Sequence, residues 1–421
     1  MSALAAIRAL GTPGELRACA ALAASPGIPP PHNSHVHLPP NFSAFASVDQ
    51  AVALAAAQGC VLLGASNYYD FSIYARFARV ARPAGILPLF GVEIMCRDAE
   101  LAAAAVKVND PGNPGKVYLC GKGIVHFEQP SPRAAVLLGR LRAADGERLA
   151  EMLRRCVAIL AERGCRLDLG AGSVIAGIAA GGGVDPATVV LQERHLAQAL
   201  QAALFASIPA ADRLARLGTL LGAAPALKGA DDAGGLQNEL RTHLMKAGKP
   251  GFVAESYLSL AEATELIAEL GGLASYPVVG DGMRPPSPFE ADPATLVANV
   301  KKLGVPLAEF IPPRNAPAAL SAYATALRQA GVVVTAGTEH NTGELLLIDP
   351  RCAGGAAVPE AVRRIFWEGA CVVAAHQFLV AHGHPGFAAG AIDEARIADF
   401  ARLGAELVGR WSASLSRPGS P

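Results

Sequence analysis

A chain of 421 residues with 36 basic and 36 acidic side chains has no net charge, so the overall attraction that a nucleic-acid polymer would exploit is missing. It is 52% hydrophobic and only 17% charged, enough apolar material for one large core or two ordinary ones. Its Ala-rich runs are broken by Gly, Pro or charge, which argues against a membrane span.

The first 30 residues read as an N-terminal amphipathic helix and a Pro-rich turn at 26–31, without the basic start, apolar run and cleavage site of a signal peptide. The eight cysteines lie mostly in apolar runs and form no Cys-x-x-Cys pair. That spacing predicts reduced core thiols in a cytoplasmic protein.

Strand and helix patterns alternate from residue 31 to 132. A strand carries His35 and His37, a helix spans 48–58, and a strand at 60–69 runs into polar residues. A helix at 71–80 and strands at 85–95 and 117–124 follow. Short connections of this kind predict a parallel α/β layout. Residues 133–250 change character and read as an all-helical insertion, with helices at 138–163, 186–206 and 211–221 and a Gly-rich joint at 181–183. From 251 to 350 the alternation resumes. Strands are predicted at 272–279, 305–311 and 331–337, and a helix at 292–303 has Pro293 in its first turn. Residues 351–421 read as two amphipathic helices, 360–379 and 392–412, and a loose tail from 414.

Roughly seven strands separated by helices predict a barrel-like array. In such folds the reactive residues sit at the carboxyl ends of strands, while the strand bodies are core. The polar residues at those ends are His35 and His37, Asn67 and Tyr68, Glu93, Tyr118, Tyr276, Glu309, and Glu339, His340 and Asn341. Two residues apart on an extended strand, His35 and His37 point to the same face and can converge on one metal ion. The clustering of metal-competent groups at strand ends predicts a metal-dependent active site.

The order of these motifs resembles the polymerase and histidinol phosphatase (PHP) superfamily. The matching pieces are HNSHVH at 32–37, LLGASNYYD at 62–70, FGVEI at 90–94, LASYPVVGDG at 273–282 and AGTEHNT at 336–342. RHLAQAL at 194–200 and GKPGFV at 248–253 are similar to segments flanking the helical insertion of PHP phosphoesterases that act on nucleotides and short RNA. The resemblance implies a distorted (β/α)7 TIM-like barrel with an all-helical insertion. It also implies phosphoester chemistry on a cluster of up to three divalent metals.

The departures from that pattern narrow the expectation. Asn67 and Tyr68, Tyr118 and Tyr276 stand where the family carries metal-binding residues, and Glu339-His340-Asn341 replaces the final Asp-x-His. His35, His37, Glu93 and Glu339 are retained, and in the family pattern they meet at one metal. The implied cofactor is therefore one divalent ion, of zinc, manganese or iron. Tyr68 and Tyr276 are then candidates for donating a proton or hydrogen bond, or else they fill vacated volume. His340 and His195 are further catalytic candidates. Arg194, Lys249, Arg284 and Arg314 are candidates for holding a substrate anion. Gly121-Lys122-Gly123 could present an anion loop but lacks the full phosphate-loop pattern. The roles of Tyr118 and His126 stay open.

The expected function is a PHP-like metal-dependent hydrolase of a small anionic substrate, a phosphoester first, using a metal-activated water. A mononuclear C–N hydrolase or lyase, and a catalytically silent ligand- or protein-binding domain, are the alternatives. No nucleic-acid polymer and no membrane are expected as partners, and assembly into a homo-oligomer is left open.

Overall fold

Short aliphatic runs become the strands β1 (His32–Val36), β2 (Leu62–Ala65), β3 (Leu87–Arg97), β4 (Lys116–Lys122), β5 (Leu258–Ser259), β6 (Leu273–Val278), β7 (Leu307–Phe310) and β8 (Val333–Ala336). The computed structural model describes residues 2–21, 27–283 and 285–413. Part of the Pro-rich turn, the tail from 414 and Arg284 fall outside the described residues.

The strands form one sheet in the order β1-β2-β3-β4-β6-β7-β8, with β5 pairing β3. The sheet curls into a nearly closed barrel. Val36 bridges Glu339 beyond the end of β8, and the backbone N–H groups of Thr338 and Glu339 both donate to the His35 carbonyl at 3.0 Å. This seam depends on Gly337, because a Cβ there would lie 2.3 Å from the Cβ of His35. Nearly every strand position is buried, as in sheets covered on both faces.

One strand breaks the parallel expectation: β4 runs antiparallel to both β3 and β6. Only a one-turn helix, Ala99–Ala103, and a loop organised by Asp110 join β3 to β4. They return the chain beside the end it left, whereas a parallel step needs a longer crossover element. The first part of β3, before its pairing with β4 begins, is served by a helix. Gln377 accepts from the Phe90 N–H at 2.8 Å and donates to the Pro88 carbonyl at 3.0 Å. Gln377 lies on Glu360–Ala381, which is buried over most of its length and packs against both β8 and the last helix, Glu394–Ala413. Residues 369–379 of this helix are buried on every side, as such a central position requires.

The apolar interior falls into two clusters. The larger fills and surrounds the barrel. The smaller lies among helices Pro132–Glu162, Ala171–Gly182, Glu193–Ser207, Arg213–Leu221 and Ala233–Leu240. The 31-residue helix Pro132–Glu162 joins them. Leu137, Leu138 and Leu141 on its first half enter the barrel cluster, and Leu149, Leu153 and Leu160 on its second half enter the other. Arg142 of this helix also donates to the Tyr69 carbonyl at 2.6 Å, tying the helical region to the turn after β2. Among the described residues no helix is long and apolar enough to cross a membrane.

Candidate metal centre and cavity

The loops at the carboxyl ends of β1 and β2 are held together by one amide. Asn67 accepts from the Leu38 N–H and donates to the Leu38 carbonyl, both at 2.8 Å. This fixes the chain just beyond His37. The three atoms His35 Nε2, His37 Nε2 and Glu93 Oε2 then meet, each 3.3 Å from the other two. All three residues are buried. Zinc–nitrogen and zinc–oxygen bonds of ~2.0–2.1 Å set the edge of a tetrahedral site at about 3.3 Å, so the three atoms fit three corners of one coordination sphere. Two imidazole nitrogens facing each other beside a carboxylate oxygen need a proton or a cation between them, and a divalent ion meets that need.

The surroundings hold these atoms in place. The Tyr68 hydroxyl donates to Glu93 Oε1 at 2.5 Å, and its ring stacks on His37 with centroids 5.3 Å apart. Burial and the Glu93 charge keep the Tyr68 phenol well above its ordinary value, so it stays protonated. Burial pushes the Glu93 carboxyl up, but the hydrogen bonds and charges of His35 and His37 outweigh it and hold it well below the carboxylate range. Burial and Lys122 disfavour the charged form of His35, yet Glu309 and Cys120 outweigh them and its pKa is raised. The Cys120 thiol lies 4.0 Å from His35 Nδ1, and ligand atoms of His35, Glu93 and Cys120 all fall within 4.8 Å of one another. That histidine nitrogen is already committed to Glu309, and burial pushes the thiol up to about 11. Cys120 is a further metal-competent group beside the trio.

Beside the trio opens a cavity of about 750 Å³, bounded by barrel strand ends on one side and by the helical region on the other. Tyr68, Glu93, Tyr118, Arg194, Arg314 and Glu339 line it. Its far wall also carries Arg241, Lys246 and Arg148, none of which stood out in the sequence. Arg194 sits in the first turn of Glu193–Ser207. That helix docks on the loop after β1, where the Phe42 N–H donates to Gln192 at 2.5 Å and the Arg194 guanidinium lies over the Phe42 ring at 6.0 Å. Arg241 is paired with Glu193, whereas Arg194 makes no ion pair with a described carboxylate. Burial and the neighbouring Arg241 lower its pKa to about 10, which leaves it charged at neutral pH. A second cavity of about 610 Å³ adjoins the first at Arg314, Glu339 and Asn341.

Other expected residues have partners of their own or stand outside the cavity. The Glu339 carboxylate is engaged by Arg314 and by Asn341 Nδ2, the latter at 2.8 Å. Glu339 and His340 both adopt left-handed backbone, with φ of 57° and 52°, a strained conformation for residues with a Cβ. His340 stacks on Phe45 and uses both ring nitrogens, one with the Thr338 hydroxyl at 2.7 Å and one with the Leu346 carbonyl at 3.0 Å. His195 accepts from the Gln192 N–H at 3.1 Å and closes the start of its helix, and burial lowers its pKa to about 4. Lys249 is exposed and does not line the cavity, and His126 is exposed as well. Arg284 lies outside the described residues. Lys122 is no anion loop: it points into the barrel and binds Glu309 at 2.6 Å.

Tyr276 faces away from the cavity. Its neighbour Pro277 pairs with Glu309 and lines the cavity, whereas the Tyr276 ring packs on Phe289 with centroids 5.4 Å apart. There its hydroxyl donates to Glu290 at 2.6 Å, and Glu290 also accepts from the Val279 and Gly280 N–H groups. Tyr276→Phe is expected to cost about 1–3 kcal/mol of stability, the cost of an unmade buried hydrogen bond, while leaving turnover unchanged. Chemical denaturation run beside an activity assay checks both halves.

No protein-family model matches the chain, and no curated protein matches it. Among solved structures, a protein from Bifidobacterium adolescentis, provisionally named a metal-dependent phosphoesterase, matches with a TM-score of 0.51 at 16% identity. The match covers 80% of this chain and 96% of that one. The likeness is one of fold. An amidohydrolase from Chromobacterium violaceum, solved with sulfate and no metal, matches at a TM-score of 0.48 and 17% identity, over 76% of this chain and 93% of its own.

Proposed function

We propose that this chain is a PHP-like hydrolase that holds one divalent ion and cleaves a small phosphorylated substrate. The observation that carries it is the mutual 3.3 Å spacing of His35 Nε2, His37 Nε2 and Glu93 Oε2 at the edge of a large cavity that Arg194, Arg241 and Lys246 also line. A bound zinc, manganese or iron ion would supply Lewis acidity and an activated water.

The chain's own residues do the rest. Tyr68 holds Glu93 and is the proton-bearing group beside the reacting centre. Arg194, charged and in no ion pair with a described carboxylate, binds the substrate anion, helped by Lys246 and Arg241 on the same wall. Glu339 is spent on Arg314, which it aims at the junction of the two cavities, so it is not counted among the ligands here. Residues 133–250 act as the inserted cap that brings Arg194 over the barrel mouth. His340 and His195 buttress the loops that carry the site. All eight cysteines are free thiols, which suits a cytoplasmic location.

A second reading has one specific support. A single ion with three protein ligands is sufficient for C–N hydrolysis, whereas in-line phosphoester cleavage usually draws on two. Assays of phosphomonoesters, phosphodiesters and cyclic and acyclic amides, each with added Zn²⁺, Mn²⁺ or Fe²⁺, separate the two. Metal-dependent hydrolysis of phosphoesters, lost on chelation, is the expected result. Hydrolysis of amides alone would replace phosphoester chemistry by C–N chemistry, and no turnover of any of them with metal bound would leave a binding domain.

A further inference from the structure

Beneath the metal trio the barrel interior holds a charged column. His35 Nδ1 lies 2.7 Å from Glu309 Oε1, and Glu309 Oε2 lies 2.6 Å from Lys122 Nζ. Lys122 Nζ also donates to the Ser34 carbonyl at 3.2 Å and to the Ser66 hydroxyl at 3.1 Å, so all three of its N–H bonds have acceptors. The side chains are 1%, 0% and 3% exposed for His35, Glu309 and Lys122. Burying a lysine and a glutamate inside a barrel is costly, and well-packed apolar residues would serve packing as well or better. His37 offers the contrast, since its buried Nδ1 has no hydrogen-bond partner among the described residues.

We propose that Glu309 and Lys122 are positioning residues for His35. The inference rests on the metal reading above and deepens it. Glu309 takes the Nδ1–H of His35, which leaves the Nε2 lone pair facing His37 and Glu93 and fixes the plane of the ring. Carboxylates behind metal-binding histidines act in this way, and their loss typically weakens metal binding about 10- to 100-fold. Lys122 fills the other oxygen of Glu309, so the carboxylate faces His35 in one orientation and its charge is matched.

The arrangement makes an amide unacceptable at 309. Glutamine must turn its NH₂ either toward His35 or toward Lys122. Toward His35, it drives the proton to Nε2 and removes the ligand lone pair. Toward Lys122, it sets donor against donor. Removing the ammonium as well relieves the second conflict, so the amide oxygen can accept from Nδ1–H again.

The test compares the wild type, Glu309→Gln and the double variant Lys122→Met/Glu309→Gln. Zinc affinity is measured by competition with a chromophoric chelator, and the protonation of His35 Nδ1 by ¹⁵N NMR of the metal-free proteins. Glu309→Gln is expected to weaken zinc binding about 10- to 100-fold and to change the His35 Nδ1–H signal. The double variant is expected to recover affinity and signal in part, which a merely structural role would not produce. It also removes both buried charges together, so it keeps the comparison usable if the single variant fails to fold. Zinc affinity and a His35 signal as in the wild type for Glu309→Gln, or a double variant no better than the single one, would overturn the proposal. If wild-type protein binds no zinc, the metal reading fails by itself. The NMR comparison then still decides the positioning role, because an unchanged Nδ1–H in Glu309→Gln contradicts it.

Discussion

His37→Ala is expected to abolish metal binding and turnover together while leaving the barrel folded. His37 is the cleanest probe because its imidazole has one set of partners. Nε2 faces His35 and Glu93 at 3.3 Å, and Nδ1 makes no hydrogen bond among the described residues. Its side chain therefore contributes no hydrogen bond to the fold outside the trio. Its backbone N–H, which donates to the Glu339 carbonyl at 2.7 Å and helps close the barrel, survives in alanine. Turnover should fall on the order of 10³-fold or more, the scale lost when preorganised charge at a reacting centre is removed. Far-ultraviolet circular dichroism and thermal unfolding check that the fold remains, and kcat measured with saturating metal checks the loss. A folded variant with normal turnover would mean that the reaction takes place elsewhere.

Arg194→Ala is expected to lower kcat/KM for a phosphorylated substrate roughly 10- to 150-fold, the kinetic equivalent of one charge-assisted hydrogen bond of about 1.5–3 kcal/mol. The same change should not destabilise the free protein. Arg194 makes no ion pair with a described carboxylate, and the repulsion from Arg241 is set against only longer-range attraction from Glu193 and Glu339, so its removal leaves no carboxylate stripped of an ion-pair partner. Weakened binding with stability kept is the mark of a residue kept for a ligand. Arg194→Lys should restore the defect only in part, because an ammonium cannot reproduce the planar fork of donors. Steady-state kinetics and denaturant unfolding on the three proteins check this. Lost stability with unchanged kinetics would make Arg194 a packing residue on Phe42.

The sequence makes the barrel legible because each strand is a short apolar run with a polar end, and that pattern survives whatever the neighbouring strands do. It does not show direction. The run 117–124 reads the same forwards or backwards in a sheet, so β4 is antiparallel without any local signal. The trio itself is readable from two histidines two residues apart at the end of one strand and a carboxylate in FGVEI. Tyr276 stands near a strand end in the sequence, and its hydroxyl goes to Glu290, a partner that no local pattern shows. Glu339 looks like a ligand by position, but its carboxylate goes to Arg314, which is distant in sequence. Lys122 and Glu309 leave a clue, since opposite charges sit in the otherwise apolar strands VYLCGK and LAEF. Their pairing is set across the barrel and needs the fold. The cations of the cavity wall come from helices whose register against the barrel no local pattern specifies.

The central claim is that His35, His37 and Glu93 hold one divalent ion. The most direct measurement is the number of ions per chain, by elemental analysis of protein purified without chelators and then reconstituted, beside His37→Ala. About one equivalent of zinc, manganese or iron in the wild type and none in the folded variant is the predicted result. No metal in the reconstituted wild type, or metal retained in full by His37→Ala, would contradict it.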